Sequence, residues 1–360
     1  MTIAASVDEI RTRPKSLLHD HLDGGLRPAT ILAIADDIGH ELPSTDEAEL
    51  SEWFVRGANT LDILQYLATF EHTIAVMQTA DHCHRVAREA VVDLAADGVV
   101  YAEVRFAPEN HVLGGLDLDS VMEAVQDGFR AGMSEAEHAG RSIVVNTIVC
   151  AMRQADVSAE IAEVALRWRD RDSRVVAFDL AGPETGFPPM EHKAAIDSVR
   201  AGHLHLTLHA SEPPGLDLIA QSLSCGAERI GHGVRLYDDI ESVDGELRLG
   251  TLAKFVLDSQ VPLEMAPSCH VHVGAVPNFE SHPLVAWHRH GFNVSVNTDN
   301  RLMSGVSVSS EMAKLAAVFG LTWGEIEALS IAGVESGFGD LHERRRIVDE
   351  VVRPGYADVR

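Results

Sequence analysis

The sequence predicts an α/β fold of the (β/α)8 barrel type, with extra helices over the carboxyl-terminal mouth. Short runs of β-branched and apolar residues occur eight times, and stretches with helical spacing fill the gaps between them. Each run ends in a polar, glycine-containing loop. Eight strands alternating with helices indicate a parallel sheet, and eight strands close a barrel. The predicted strands are Ser16–His21, Val99–Phe106, Ile143–Val149, Val175–Leu180, Leu204–His209, Arg229–Ile230, Val261–Met265 and Phe292–Asn297.

Two segments show clear helical signals. In Asp81–Ala96, Val86, Ala90 and Leu94 are spaced to bury one helical face. Thr322–Glu325 has the form of a capping box, so a helix is predicted to begin there.

A long insertion, Pro43–Thr79, separates the first two predicted strands, and we expect it to form helices above the barrel mouth. Its apolar side chains fit two alternatives, an apolar lid over the mouth or ordinary packing between helices. The side chains concerned are Trp53, Phe54, Leu61, Leu64 and Tyr66.

Composition narrows the class of protein. The 360 residues contain 29 Lys and Arg against 55 Asp and Glu, a formal net charge of −26. That charge argues against a nucleic-acid partner, whose phosphates require a basic surface. The chain has no apolar run of the roughly 18 residues that span a membrane, and its acidic amino terminus is unlike a signal peptide. We therefore expect one domain over residues 1–360; the oligomeric state stays open.

Cysteine usage indicates the compartment. The four cysteines are far apart in the sequence and form no CxxC pair. Such spacing is typical of a reducing cytoplasm and disfavours a disulfide framework. The protein is thus predicted to be cytoplasmic. The cysteines are Cys83, Cys150, Cys225 and Cys269.

Histidine and aspartate recur where the predicted strands end. His19 and His21 alternate along the first strand, so both imidazoles point to the same face. His209 ends the fifth strand, and Asp299 follows the eighth. Three neutral imidazoles and one carboxylate suit zinc, with room for water as a further ligand. One His-x-His pair is a weak signal, but its recurrence with His209 and Asp299 predicts a metal site.

Five motifs in order along the chain resemble the adenosine deaminase family of the amidohydrolase superfamily. The resemblance implies one zinc ion per chain, held by His19, His21, His209 and Asp299. It also implies hydrolytic deamination of adenosine and 2′-deoxyadenosine to inosine and 2′-deoxyinosine, with release of ammonia, as in purine salvage. Asn297–Ser304 resembles an actinobacterial branch. The motifs are His19–Gly24, Asp179–Gly182, His209–Glu212, Arg229–Gly233 and Asn297–Asn300.

The resemblance assigns the reacting groups. Zinc lowers the pKa of water to roughly 7, which makes hydroxide available at neutral pH. Glu212 would donate a proton to N1 of the purine, which requires a raised pKa of the kind that a closed apolar site provides. His232 would orient the hydroxide and stabilise its developing charge. Asp299 would accept the proton of the water as well as bind the metal.

The same resemblance assigns substrate contacts. Asp23, together with His21, would bind the ribose 5′-hydroxyl group. The backbone N–H of Gly182 would meet N3, because the missing side chain permits a close approach. Taken alone, Asp23 also fits a loop cap and Gly182, which precedes a proline, also fits a turn. Asn300 stands where many members have an aspartate that contacts N7; an amide donates to N7 without needing protonation.

Two further departures from the family pattern lie next to the proposed acid. Ser211 replaces a usual glycine directly before Glu212, and Pro213–Pro214 follows it. Two prolines fix the backbone and remove two N–H donors. Both changes bear on which purine is bound more than on the reaction type.

Other histidines give weaker signals. His82 and His84 lie in a helical pattern, where residues two apart point to different sides. His203 and His205 are expected to fill the barrel or end a strand. His270 and His272 follow the seventh strand and could edge the pocket; no carboxylate accompanies them as a rival metal pair.

Rival functions remain at this point. The same chemistry could act on adenine, aminodeoxyfutalosine or an N6-substituted adenosine. A binuclear amidohydrolase typically has a carboxylated lysine at the end of strand four, where this chain has Ala177–Leu180. A non-catalytic nucleoside-binding barrel predicts loss of a metal ligand or of the acid, and none is lost. The cytidine deaminase type of zinc signature is absent from the sequence.

Overall fold

The computed structural model describes residues 5–210, 213–243 and 246–359. Within them, eight parallel strands form a barrel surrounded by helices, which confirms the predicted fold class. The barrel order is β1-β2-β3-β4-β5-β6-β9-β10, so neighbours in the sheet follow one another along the chain. The strands are β1 (Lys15–His21), β2 (Val99–Phe106), β3 (Val144–Met152), β4 (Val175–Ala181), β5 (His205–Ala210), β6 (Arg229–His232), β7 (Ile240–Val243), β8 (Glu246–Leu249), β9 (Leu263–Met265) and β10 (Val294–Val296).

The barrel closes between β1 and the segment that follows β10. The His21 N–H donates to the Asp299 carbonyl oxygen at 2.7 Å, and the Asp299 N–H donates to the His19 carbonyl oxygen at 2.9 Å. The Asn297 side-chain oxygen accepts from the N–H groups of Leu18 and His19, at 2.8 and 3.1 Å. Asn297 thus joins the end of β10 to β1 where the barrel closes. The backbone hydrogen bonds hold Asp299 beside His19 and His21.

Helices cover the outside of the barrel and part of its mouth. Helix α6 confirms the predicted helix at Asp81–Ala96, and the Thr322 side chain caps α16 by accepting from the Glu325 N–H, as predicted. The α-helices are α1 (Val7–Arg11), α2 (Pro28–Ile38), α3 (Glu47–Ala58), α4 (Ile63–Ala68), α5 (Phe70–Ala75), α6 (Ala80–Ala96), α7 (Leu118–His138), α8 (Ser158–Arg171), α9 (Lys193–Ala201), α10 (Asp217–Ser224), α11 (Thr251–Asp258), α12 (Pro267–His272), α13 (Leu284–His290), α14 (Arg301–Ser304), α15 (Val308–Phe319), α16 (Trp323–Ser336), α17 (Leu341–Ile347) and α18 (Arg353–Gly355). Short 3-10 turns span Leu22–Gly24, Pro108–His111, Pro189–His192, Val234–Asp239 and Phe279–Ser281, and a π-helical turn spans Val348–Val352.

The last two barrel strands are shorter than predicted because the preceding helices extend further. The Val261 N–H donates to the Val256 carbonyl oxygen, so Val261 still belongs to the closing turn of α11. The Phe292 N–H likewise donates to the Trp287 carbonyl oxygen at the end of α13. Val261 and Phe292 were predicted to be strand residues because apolar residues occur both in the closing turn of a helix and at the start of a strand.

An antiparallel hairpin of β7 and β8 follows β6 and was not predicted. Ile240 pairs with Leu249 and Glu241 pairs with Arg248. Each strand has only four residues, which is near the lower limit of what an alternating pattern can indicate.

The insertion Pro43–Thr79 forms α3, α4 and α5, and only part of the predicted lid residues face the mouth. Tyr66 lines the central cavity, whereas Leu61 and Leu64 are 66% and 65% exposed. Phe54 is fully buried in the core, and Trp53 packs against it. The lid is instead formed by the other face of α4 and by α5. Its cavity-lining side chains are Ile63, Tyr66, Leu67, Phe70 and Ile74.

The register of α4 explains this difference. Asp62 caps the helix by accepting from the N–H groups of Leu64 and Gln65, so the helix begins at Ile63. Ile63, Tyr66 and Leu67 are then at positions i, i+3 and i+4 and share one face. Leu64 falls on the opposite face, toward solvent.

All four cysteines are buried and unpaired, as the sequence predicts. Cys150 and Cys269 line the central cavity, and Cys83 and Cys225 lie elsewhere in the protein interior. No helix in the described part of the chain is both long and apolar enough to cross a bilayer.

Candidate active site

Three strand ends, those of β1, β5 and β10, bring three histidines and an aspartate together at the floor of the mouth. His19 Nε2 lies 3.2 Å from Asp299 Oδ1, and His21 Nε2 lies 3.5 Å from the same oxygen. His209 Nε2 lies 3.2 Å from His21 Nε2. The four residues predicted as metal ligands therefore lie next to one another at the floor of the mouth.

His232, at the end of β6, joins this group. Possible ligand atoms of His19, His209, His232 and Asp299 all lie within 4.8 Å of one another. His232 and Asp299 have φ angles of +62° and +58°, in the left-handed region that few non-glycine residues adopt. Such backbone persists only when the surrounding structure enforces it, and it is concentrated at functional sites.

The histidines present unprotonated nitrogens to one another. Burial lowers the pKa of His19 well below its usual value and that of His21 to about 3. His19 Nε2 has no partner with hydrogen-bond geometry among the described residues. Neutral imidazole lone pairs that face each other and a carboxylate at this spacing are poorly arranged without a cation. The donor set therefore fits a bound divalent metal ion.

Buried carboxylates orient two of these histidines from behind. His19 Nδ1 lies 2.9 Å from Glu264 Oε2, and His209 Nδ1 lies 2.9 Å from Asp179 Oδ2. Arg105 joins the two carboxylates, at 2.6 Å from each. Carboxylate contacts at Nδ1 leave Nε2 of each ring for the cluster and make it a stronger ligand.

Electrostatics keep these carboxylates ionised. Burial alone would raise the pKa of Asp179, but His209 and Arg105 hold it below its usual value. The pKa of Glu264 is also lowered, because Arg105 and Arg229 outweigh burial. Sequence reasoning assigned no role to Arg105, Asp179 or Glu264. The available signal was a charged residue within each otherwise apolar strand.

A thiol fixes the orientation of Asp299. Cys269 Sγ donates to Asp299 Oδ2 at 2.7 Å, while Oδ1 faces the histidines. Burial and the adjacent carboxylate raise the pKa of Cys269 well above its usual value, so the thiol retains its proton. Sequence reasoning did not find this contact, since β9 and β10 bring the two residues together from 30 positions apart.

A cavity of about 250 Å³ lies above the cluster. His21, His209, His232 and Asp299 form its floor, and the apolar face of α4 and α5 forms its roof. The residues predicted to bind substrate, Asp23, Gly182 and Asn300, also line it. A small, largely apolar cavity with a few polar groups is typical of a small-molecule site.

Asp23 offers an unused acceptor to this cavity. The residue is 4% exposed, and its Oδ1 has no hydrogen-bond partner in the described part of the chain. Burial raises the pKa of Asp23 to about 6, although a hydrogen bond from Asn110 opposes the change. An unpartnered buried oxygen is costly, so a ligand hydroxyl would stabilise this arrangement.

Gly182 permits a close approach at the end of β4. Its φ of +86° lies in the region that favours glycine. A Cβ atom there would come within 2.4 Å of Gln154 Oε1. The backbone conformation therefore favours glycine, and a larger residue would also have to displace the Gln154 side chain beside the cavity.

Asn300 connects the floor of the cavity to its roof. Its Nδ2 donates to the Tyr66 hydroxyl oxygen at 2.7 Å. Its Oδ1 is buried without a hydrogen-bond partner among the described residues and packs where a Cβ on Gly24 would otherwise stand. One hydrogen on Nδ2 is left for a ligand.

Glu212 and Ser211 lie outside the described residues. The following Pro213 and Pro214 form a bend, half-buried and exposed respectively, that precedes α10. In the sequence, the proposed acid comes three residues after His209 and directly before this bend.

The other histidines are distributed much as the sequence suggests. His82 and His84 belong to α6. His205 is at the amino end of β5, where it pairs with Glu228; it ends a strand and does not fill the barrel. His270 lines the cavity, but its ring nitrogens contact two other histidines, so it forms no metal pair with His272.

The fold and the cluster together define a barrel of the metal-dependent hydrolase type with its site at the carboxyl-terminal mouth. The adenosine deaminase family model matches residues 14–354, and the chain belongs to that family. The chain is 49% identical to the adenosine deaminase of Mycolicibacterium vanbaalenii and 49% identical to that of Mycobacteroides abscessus. Each alignment spans 360 residues and covers 99% of both chains.

Solved structures share the fold. An adenine deaminase from Arthrobacter aurescens has a TM-score of 0.81 at 26% identity and covers 96% of this chain and 100% of its own. An amidohydrolase from Burkholderia ambifaria with bound zinc has a TM-score of 0.83 at 21% identity, with coverages of 99% and 94%. At the latter identity the likeness concerns the fold alone.

Proposed function

We propose that this protein catalyses the hydrolytic deamination of adenosine and 2′-deoxyadenosine to inosine and 2′-deoxyinosine, with release of ammonia. One observation carries the proposal. Three imidazoles and one carboxylate converge within 3.5 Å contacts at the floor of a small apolar cavity. This geometry occurs in a chain that matches named adenosine deaminases over 99% of its length.

His19, His21, His209 and Asp299 would hold the metal, and we propose one zinc ion per chain. The support is the set of donor atoms, because three imidazole nitrogens and one carboxylate bind zinc better than they bind harder ions such as Mg²⁺ or Ca²⁺. Bound zinc would supply a nucleophile at neutral pH, because it lowers the pKa of water to roughly 7.

The remaining chemistry belongs to side chains around the ring. Attack at C6 breaks the aromaticity of the purine, so N1 must gain a proton, and we assign that proton to Glu212. The Asp299 carboxylate would take the proton that the attacking water loses. His232 would hold the water in line with C6. General acid and base catalysis of this kind contributes roughly 10²–10⁴-fold each.

Substrate contacts follow from the cavity walls. Asp23, whose Oδ1 is unpartnered among the described residues, would accept a hydrogen bond from the ribose 5′-hydroxyl, with His21 beside it. The Gly182 N–H would donate to N3, and the free hydrogen on Asn300 Nδ2 would donate to N7. The apolar roof would cover the base and exclude water.

Another 6-aminopurine is the second candidate, because the solved structure at 26% identity is an adenine deaminase. The test is kcat/KM for adenosine, 2′-deoxyadenosine, adenine and N6-methyladenosine with wild type and Asp23→Asn. If Asp23 binds ribose, the variant loses activity on nucleosides and not on adenine. Strong adenine turnover with negligible adenosine turnover in wild type would overturn the substrate assignment.

Metal content tests the second part of the proposal. Elemental analysis of the purified, active protein is expected to give one equivalent of zinc per chain. Chelation should abolish activity, and one equivalent of zinc should restore it. Two equivalents, with activity that follows the second, would contradict a mononuclear site.

A further inference from the structure

Three histidines form a hydrogen-bonded row that leads away from the cavity floor. His232 Nδ1 lies 3.1 Å from His270 Nε2, and His270 Nδ1 lies 2.8 Å from His282 Nε2. The row ends where the Leu284 backbone N–H donates to His282 Nδ1 at 3.3 Å. His232, His270 and His282 are called the histidine row below.

The rings of His270 and His282, the two members of the row that lie farther from the cavity floor, are buried and neutral. His270 is 1% exposed and His282 is 2% exposed, and their rings lie edge to edge with planes 6° apart. Burial lowers the pKa of His282 to about 3 and that of His270 well below its usual value, with His282 adding to the effect on His270. A neutral imidazole has one N–H donor and one acceptor nitrogen, so each ring can pass a hydrogen bond in one direction only.

The backbone at the start of α13 sets that direction. An amide N–H can only donate, so His282 Nδ1 is the acceptor and His282 Nε2 carries the proton. His282 then donates to His270 Nδ1, which places the proton of His270 on Nε2. His270 in turn donates to His232 Nδ1, which leaves the proton of His232 on Nε2, the nitrogen left for the cavity floor.

We propose that His270 and His282 are positioning residues that hold His232 as the neutral Nε2–H tautomer. In that form His232 donates a hydrogen bond toward the attacking water and cannot take its proton. The reverse tautomer, or an imidazolium at His232, would set two N–H groups against each other within the row. The role in catalysis rests on the proposed deaminase function; the tautomer does not.

Asp299 is the base that this arrangement leaves. Its Oδ2 is occupied by the Cys269 thiol, so Oδ1 faces the cluster. The row therefore separates two tasks at the floor: one group donates to the water and another accepts from it. Both sit on left-handed backbone, which fixes their directions.

Imidazole nitrogen NMR tests the tautomers directly. The zinc-loaded protein, labelled with 15N in histidine side chains, is expected to show Nε2–H at His282, His270 and His232. Single replacements by glutamine assign the signals. An Nδ1–H tautomer at His270 or His282, or a doubly protonated His232, would overturn the proposal whether or not adenosine is a substrate.

Matched variants test the effect on catalysis. His282→Phe keeps a planar ring and removes the donor, whereas His282→Gln keeps an N–H at the position of Nε2. We expect the phenylalanine variant to lose about 10–100-fold in kcat, the usual effect of removing a partner that orients a functional imidazole. KM and zinc content should stay within a few-fold, and the glutamine variant should stay near wild type.

A control variant and two contradicting outcomes decide the question. His290→Phe, at an exposed position in α13, is the control and should change nothing. Equal losses in the phenylalanine and glutamine variants would contradict the proposal, as would wild-type kcat in His282→Phe. If His282→Phe does not fold, the NMR tautomers of wild type still decide.

Discussion

Two buried polar regions lie one above the other in the barrel, and they differ in whether each buried carboxylate has a cationic side chain as its partner. The lower region, called the interior charge layer, contains Glu103, Arg105, Asp179, Arg229 and Glu264, each at most 1% exposed. Every carboxylate there lies 2.6–2.7 Å from a guanidinium group. The upper region, called the candidate metal cluster, contains imidazoles that contact one another and the Asp299 carboxylate. Among the described residues, no guanidinium or ammonium group pairs with that carboxylate.

The difference shows which part of the barrel pairs its own charges and which part is arranged to bind a cation. Three carboxylates and two guanidinium groups leave one net negative charge in the interior charge layer, directly behind His19 and His209. That charge favours a cation in the cluster above. Stability thus depends on the lower region and chemistry on the upper one, with Glu264 and Asp179 connecting the two.

Breaking the lower region should have the largest effect. Arg105→Met leaves Asp179 and Glu264 without their shared partner, and uncompensated buried charges of this kind cost about 3–5 kcal/mol. The free energy of unfolding should fall by that amount, and zinc affinity should fall with it. Arg56→Met, which breaks an exposed pair with Glu52, is the control and should cost less than about 1 kcal/mol. Similar denaturation midpoints for both variants would contradict the comparison.

Changing the proposed acid should affect turnover and leave stability intact. Glu212→Gln has nearly the same size and cannot donate a proton to N1, so kcat should fall by roughly 10²–10⁴-fold. Zinc content and the denaturation midpoint should match those of wild type. Glu191→Gln, at an exposed position, serves as the control. Turnover within a few-fold of wild type would remove Glu212 from the mechanism.

Glu109, which follows the carboxyl end of β2, tests a buried carboxyl group outside both regions through pH. Burial raises the pKa of Glu109 to about 7 from 4.5, and the carboxylate accepts from the Met152 N–H at 2.7 Å. A raised carboxyl pKa means that the folded state binds more protons, so stability falls as pH rises from about 4.5 to 7.

Glu109→Gln removes this titration. The variant should gain about 1–3 kcal/mol relative to wild type between pH 5 and pH 8, from a shift of this size. Denaturant unfolding at the two pH values is the measurement. A difference between variant and wild type that is the same at both pH values would contradict the assignment.

The smallest effect is expected at Ser211, next to the proposed acid. If the serine only fills space beside the base, Ser211→Gly should leave kcat/KM for adenosine equal or better. If it selects another purine, glycine should shift preference toward adenosine. A contact of this size discriminates by roughly 1–3 kcal/mol, or about 10–200-fold. The measurement is kcat/KM for adenosine and adenine with both proteins.

The sequence was sufficient to predict those features of the fold and of the candidate site that depend on short, local patterns. Eight apolar runs predicted the barrel, and motifs at strand ends predicted side chains that lie together in the structure, since parallel strands bring their carboxyl ends together. The helical face of the lid was not predicted, because it depends on the helix starting at Ile63. The Cys269–Asp299 contact and the histidine row were not predicted either. They join separate strands and helices, and no spacing in the sequence encodes such contacts.

Because all four thiols are buried, their alkylation rates can report local opening of the protein around each cysteine. A thiol reacts only as an exposed thiolate, and burial raises the pKa of Cys83 to about 12 and that of Cys269 well above its usual value. Alkylation of the folded protein should therefore be slow, and its rate should report opening at each site. Nucleoside in the cavity should protect Cys150 and Cys269 and leave labelling of Cys83 unchanged. Mass spectrometry of the labelled peptides would then separate movements of the lid from unfolding of the barrel.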